Sequence, residues 1–92
     1  MKKKEITLLS WLLRGSQKRE VFKVLDGYKI PAQIYKEAAK HNPKITRNSV
    51  SDVLREFKKK GIVICINEKE KKGRIYQLTK KGLLIKDKLR SE

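Results

Sequence analysis

Apolar residues recur at helical spacing over most of this chain, and between residues 62 and 79 the pattern changes to that of strands. From Ile6 to Leu13 the polar positions Thr7 and Ser10 share one helical stripe with Arg14. The rest of the circumference is apolar, which predicts a short helix buried on most sides. Gly15-Ser16 interrupts it, and Ser16 is a suitable N-cap for a helix starting at Gln17. Val21, Val24, Leu25 and Tyr28 follow at i, i+3, i+4 and i+7, with Phe22 widening the stripe, and Asp26-Gly27 ends the run. Tyr28-Lys29-Ile30 reads as an extended link. Pro31 suits the first turn of the next helix, where its missing N–H costs nothing. That helix buries Ile34, Tyr35, Ala38 and Ala39 and stops in Lys40-His41-Asn42-Pro43-Lys44.

Thr46 is an N-cap for the most regular segment of the chain. Val50, Val53, Leu54 and Phe57 form its inward stripe, so Arg47, Asn48, Ser51, Asp52 and Arg55 face outward. Lys58-Lys59-Lys60 crowd the last turn, where the helix dipole favours cations, and Gly61 terminates it. Two runs rich in β-branched and aromatic residues come next, Ile62 to Asn67 and Arg74 to Thr79. The charged stretch Glu68-Lys69-Glu70-Lys71-Lys72-Gly73 joins them into a hairpin with a basic tip. Thr79 caps a last helix through Arg90, with Leu83, Leu84, Ile85 and Leu89 as its apolar positions.

The expected order is helix, helix, helix, strand, strand, helix, with an extra helical segment in front. This is a single domain over residues 1–92, mainly α with a β-hairpin wing (α+β), of winged helix-turn-helix type. Three stretches carry a family likeness. "WLLRGSQKREVFKVL" resembles the opening of small archaeal transcriptional regulators of ArsR-like or MarR-like type, "ITRNSVSDVLREFKKKGIV" their recognition helix and its exit, and "KKGRIYQLTKKG" their wing and the turn into the last helix. The resemblance implies a DNA-binding regulator. Two features depart from its pattern: the turn over residues 40–45 is longer than a tight helix-turn-helix corner, and the metal-sensing cysteine pairs of ArsR-like proteins are missing.

Charge sharpens this picture. The 92 residues carry a formal net charge of +15, from 25 Lys and Arg against 10 Asp and Glu. Residues 1–30 hold eight basic and three acidic side chains, 31–60 eight and three, and 61–92 nine and four, so each third is +5. The positive field therefore belongs to the folded body and not to a tail, and it concentrates polyanions around it. Solubility alone asks for a net charge of only about 2–8 in a domain of this size.

A helix entering the major groove reads base edges with polar side chains near its N-terminus. Arg47 can fork onto guanine and Asn48 can pair with adenine. Ser51 permits close approach, Arg55 lies a turn further on, and Asp52 either accepts from cytosine N4 or orients Arg47, Arg55 or nearby lysines. Thr46 and the first-turn amides suit a phosphate. The recognition helix is expected at about 46–60, with Thr46, Arg47, Asn48, Ser49, Ser51, Asp52 and Arg55 as its DNA-binding residues. The wing, residues 67–75, contributes Lys69, Lys71, Lys72 and Arg74 to the backbone or the minor groove. A homodimer on two half-sites supplies specificity, with 1–14 and 80–92 as its dimerisation segments because both are more apolar than one small core requires.

Other classes fit less well. No nucleophile elbow, phosphate-binding loop or metal motif supports an enzyme, and no catalytic residue, metal or cofactor is expected. Cys65, in the run Ile62 to Ile66, reads as a small buried hydrophobe, and His41 as a surface residue. A single cysteine and no transmembrane segment place the protein in the reducing cytoplasm, away from membranes. A winged-helix module binding proteins within a transcription or replication assembly would present an apolar or acidic outer face where this helix is basic and polar. Non-specific nucleic-acid binding is the remaining alternative. RNA binding lacks an exposed aromatic platform, since Trp11, Tyr28 and Phe57 read as core or interface. Any small-molecule effector stays unassigned.

Overall fold

Seven elements follow one another in the expected order: α1 (Lys3–Arg14), α2 (Ser16–Val24), α3 (Pro31–His41), α4 (Arg47–Lys59), β1 (Val63–Cys65), β2 (Tyr76–Leu78) and α5 (Lys80–Ser91). The computed structural model describes residues 3–91, with side chains over 7–89. The side chain of Ile6 and the outermost residues of both terminal segments lie outside that description.

The core forms where the helical stripes converge. Leu8 and Leu12 of α1, Val21 and Phe22 of α2, and Ile34 and Ala38 of α3 meet Val50, Val53, Leu54 and Phe57 of α4. Phe57 is the hub. Its ring takes the edges of Trp11 and Phe22, at centroid distances of 5.8 and 6.0 Å. Burying a side chain of this size stabilises by roughly 1.5–3 kcal/mol.

α4 ends in a Schellman turn, with Ile62 N–H donating to the Phe57 carbonyl at 2.8 Å and Gly61 N–H to Lys58 at 3.1 Å. The turn needs Gly61 at φ +76°, a left-handed conformation that side chains disfavour. Thr79 stitches this exit to α5. Its hydroxyl donates to the Gly61 carbonyl at 2.6 Å and accepts from the Gly82 N–H at 3.1 Å. The strands pair antiparallel, Val63 with Leu78, Ile64 with Gln77 and Cys65 with Tyr76. Val63 and Cys65 face the core while Ile64 points outward, the alternation expected of a half-covered hairpin.

Three expectations need correction. Ser16 is not the N-cap of α2. Gly15 takes that position without a side-chain bond, and Ser16 is already helical. Tyr28 is not on the apolar stripe of α2, because the helix ends at Val24 and leaves Tyr28 in the following link, 67% exposed. Both strands are shorter than their β-branched runs. Ile66 N–H still donates to the Ile75 carbonyl at 2.9 Å, but the Ile75 N–H goes to Asn67 Oδ1 at 2.7 Å, so a side chain takes the return half of that rung and the hairpin opens into a loop.

The link before α3 also holds what the pattern did not reveal. Lys29 exchanges two backbone hydrogen bonds with Tyr76, 2.8 and 3.1 Å, and so adds a one-residue third strand to the wing's base. It is the one buried charged side chain among the described residues. Its Nζ lies 2.6 Å from the Val24 carbonyl, 2.7 Å from Glu37 and 2.9 Å from Asp26. Burial disfavours the ammonium, but the hydrogen bonds and charges of Glu37 and Asp26 outweigh it and hold the pKa above its ordinary value. A value raised on folding adds stability that is complete below the ordinary lysine range and is lost as pH rises through the folded-state value.

Gly82 yields a test of the α4–α5 junction. A Cβ at that position would sit 2.4 Å from the Ile62 carbonyl oxygen and 3.0 Å from Leu78 Cδ2. Helix propensity favours Gly82→Ala by about 1 kcal/mol, while overpacking against backbone costs about 1–3 kcal/mol. The variant is expected to lose about 1 kcal/mol net in urea denaturation. A gain in stability would show that α5 docks less tightly on Ile62.

Candidate nucleic-acid interface

The first turn of α4 is set by its cap. Thr46 Oγ1 accepts the Ser49 N–H at 3.1 Å and shares a 2.9 Å hydrogen bond with the Ser49 hydroxyl. With the apolar stripe buried, Arg47, Asn48, Ser51, Asp52 and Arg55 are all exposed. Helical geometry sorts them onto two flanks. Ser51 and Arg55 turn towards the wing, together with Lys58 on the same stripe. Ser49 and Asp52 border the start of α2, beside Gly15 to Lys18, with Glu56 below them. Ser49 is half-buried and occupied by the cap, so it does not share the wing-facing flank. Arg47 lies over the Tyr35 ring of α3 at 5.6 Å, a cation–π contact that rests its guanidinium at the mouth of the helix. Asp52 approaches Arg55 at 3.7 Å, with both side chains well solvated.

Between α4 and the wing runs a concavity of about 480 Å³. Ser51, Leu54, Arg55 and Lys58 form one wall, and Lys71 to Arg74 with Tyr76 form the other. Ile30, Pro31 and Ala32, at the start of α3, close its end. Five of the lining residues are cationic and none is acidic. Lys69 is exposed on the same loop. Asn67 shapes that loop. Besides accepting from Ile75, its Nδ2 donates to the Gly73 carbonyl at 3.1 Å, and Arg74 Nε donates to the Glu70 carbonyl at 2.9 Å. Gly73, at φ +66°, provides the left-handed turn that lets the chain reverse there.

Sequence reasoning passed over three of these residues. Lys58 was accounted for by the helix dipole, although it falls three residues after Arg55 and seven after Ser51, on their stripe. Asn67 carried no periodic signal. Tyr76 was legible only as a strand residue. Lys58 also bridges the two walls, since its Nζ meets Glu68 Oε1 at 2.5 Å. That hydrogen bond, and then the lysine's charge, hold the Glu68 carboxyl below its usual pKa, and the same bond holds Lys58 above its own.

Among the described residues, no cluster of three or more His, Cys, Asp or Glu could hold a metal ion, and no helix is long and apolar enough to cross a membrane.

Helix-turn-helix α3–α4 followed by a hairpin against a cationic groove defines the chain as a winged helix-turn-helix domain. The likeness to solved structures agrees. The crystal structure of a protein assigned as a transcriptional regulator of the MarR family from Enterococcus faecalis V583 superimposes with a TM-score of 0.75 and 28% identity, over 99% of this chain and 81% of that one. The quinone-bound YodB from B. subtilis shares the fold at a TM-score of 0.68 and 22% identity, over 99% of this chain and 91% of its own. No family model matches the sequence, and no curated protein does.

The Lys58–Glu68 bridge has a direct check. A carboxylate whose pKa is lowered on folding adds its contribution above the unfolded value and loses it as pH falls through the folded one. In a carboxyl NMR titration Glu68 is expected to titrate below the ordinary glutamate range, and to return to that range in Lys58→Met. An unshifted midpoint in the parent protein would mean that the two walls are not tied at this point.

Proposed function

We propose that this protein is a sequence-specific double-stranded DNA-binding transcriptional regulator of MarR-like type, acting as a homodimer in the cytoplasm. The observation that carries the reading is the cationic groove between the exposed polar face of α4 and the wing. Its likeness to the Enterococcus regulator supports the class. A protein-binding role is disfavoured, because the outer face of α4 presents Arg47, Asn48, Ser51 and Arg55 and no apolar patch.

In this reading α4 enters the major groove from its N-terminal end. Arg47 forks onto guanine O6 and N7, and Asn48 pairs with adenine N6 and N7. Ser51 lets the helix approach, and Arg55 reaches the next base or phosphate. Thr46 and the first-turn amides meet a phosphate. Asp52 steers Arg55. On the other wall Lys69, Lys71, Lys72 and Arg74 follow the backbone or the minor groove. With about six to eight phosphates neutralised per dimer, log K falls against log salt with a slope of roughly −5 to −7.

The two-fold contact is assigned to the terminal helices. Leu8, Leu12 and Ile85 are absorbed by the protein's own core, whereas Leu13, Leu83 and Leu84 remain 39%, 52% and 55% exposed. Apolar side chains of this size left in water favour a second copy.

Duplex binding at several salt concentrations tests the interface. Arg47→Ala is expected to lose sequence preference, by about 1–3 kcal/mol at the guanine it reads, while keeping most of the salt-sensitive affinity. Identical behaviour of variant and parent on every duplex removes Arg47 as a reader. Sedimentation tests the assembly. The parent is expected as a dimer at micromolar concentration and Leu83→Lys/Leu84→Lys as a monomer, and a monomeric parent removes the dimer.

A further inference from the structure

Beyond the packing of Val63 and Leu78 on the core, three polar links of different character join the wing to the helical body among the described residues. Thr79 fixes its base at the α4 exit, and the Lys58–Glu68 bridge spans the groove in open solvent. The third is the backbone exchange between Lys29 and Tyr76. A one-residue bridge is a weak ladder on its own, and what backs it here is the Lys29 side chain. An ammonium has three N–H donors, and three acceptors lie within 2.9 Å: the Val24 carbonyl at the end of α2, Glu37 in the middle of α3, and Asp26 in the link itself. The Val24 carbonyl belongs to the last turn of its helix, where carbonyls lack intrahelical partners and attract cations. The ammonium is mostly shielded, so little water stands ready to replace these partners and leaving that geometry carries a cost.

We propose that Lys29 is a positioning residue for the wing: by pinning its own backbone to α2 and α3, it fixes the segment against which Tyr76 pairs, and thereby the separation between α4 and the cationic loop. The function of this separation rests on the DNA-binding reading above. Tyr76 lines the groove directly, and its neighbours Arg74 and Ile75 lead into the loop, so a shift of the Lys29 strand moves one whole wall. Lys29 itself is buried away from any ligand and acts only through that backbone pair.

The test separates the anchor from DNA binding. Lys29→Met keeps the length of the side chain and removes the charge. Glu37→Gln removes one acceptor charge at a partly exposed position and covers the case in which Lys29→Met folds poorly. Amide hydrogen exchange is measured for Lys29 and Tyr76, and for Leu54 and Phe57 in α4 as reporters of global unfolding. Exchange at the Lys29–Tyr76 pair is expected to accelerate about tenfold, the scale of one charge-assisted hydrogen bond, beside whatever loss of global stability the α4 amides report. Acceleration of the α4 amides without the Lys29–Tyr76 pair, or of neither set, overturns the proposal, since the ammonium then serves general stability or nothing.

On duplex DNA, Lys29→Met is expected to flatten the salt slope by about 2 as the wing lysines lose register, while the base preference that depends on Arg47 persists. An unchanged slope beside accelerated exchange would limit Lys29 to ordering the wing and overturn its part in DNA binding. If the parent protein binds no duplex at any salt concentration, the DNA-binding reading falls, and the exchange result alone decides whether Lys29 holds the wing.

Discussion

Four side chains on one stripe of α4, Val50, Val53, Leu54 and Phe57, are withdrawn from water against the other helices and β1. A helix has one rotational setting that buries such a stripe, and that setting determines where its remaining side chains point. Arg47, Asn48, Ser51 and Arg55 are exposed because nothing else is compatible with Phe57 inside. The burial also opposes the repulsion of a body carrying +15 over 92 residues, a load that would swell a less apolar chain. A polar outer face and cohesion on the inside thus come from the same thirteen-residue helix.

This dependence explains which parts of the molecule were legible in the sequence. α4, its Thr46 cap and its Gly61 exit are local: the period, the capping oxygen and the left-handed glycine all lie within one turn of what they control. The same holds for Pro31 at the start of α3 and Thr79 before α5. Lys29 is the opposite case. Its burial depends on a carbonyl from α2, a carboxylate from α3 and a strand 47 positions later, none of which leaves a periodic trace. A lysine beside Gly27-Tyr28 reads as solvated because most lysines are. The misplacement of Tyr28 has the same root. Its i+7 spacing fits the stripe of α2, but a Leu25 in extended conformation ends the helix before the spacing can apply.

The groove was partly legible. Arg55 and the wing lysines follow from outward-facing positions and from composition. Their convergence on one concavity, with Ser51 and Lys58, depends on how far the hairpin folds back, and hairpin angles are set by contacts remote in sequence. Asn67 illustrates the point. One amide ends the ladder and ties the two sides of the loop together, yet in the sequence it is only a polar residue after an apolar run.

The few acidic residues clarify how a strongly basic surface stays ordered. Glu37 and Asp26 hold Lys29, whose ammonium is mostly shielded although both carboxylates reach solvent, and a third partner, the Val24 carbonyl, completes its hydrogen bonds. Glu68 and Asp52 meet Lys58 and Arg55 in the open, where solvent screens such pairs. The two kinds of pair suit two tasks. A shielded cation with three partners suits the anchoring proposed for Lys29, whereas a pair exposed on both sides holds a cation in direction and releases it at little cost. On the proposed DNA-binding reading, a phosphate in the groove displaces Glu68 from Lys58 and leaves Lys29 in place. Acidic side chains in this protein do not neutralise the cationic wall so much as aim it, and the wall keeps its charge because none of the groove's own lining is acidic.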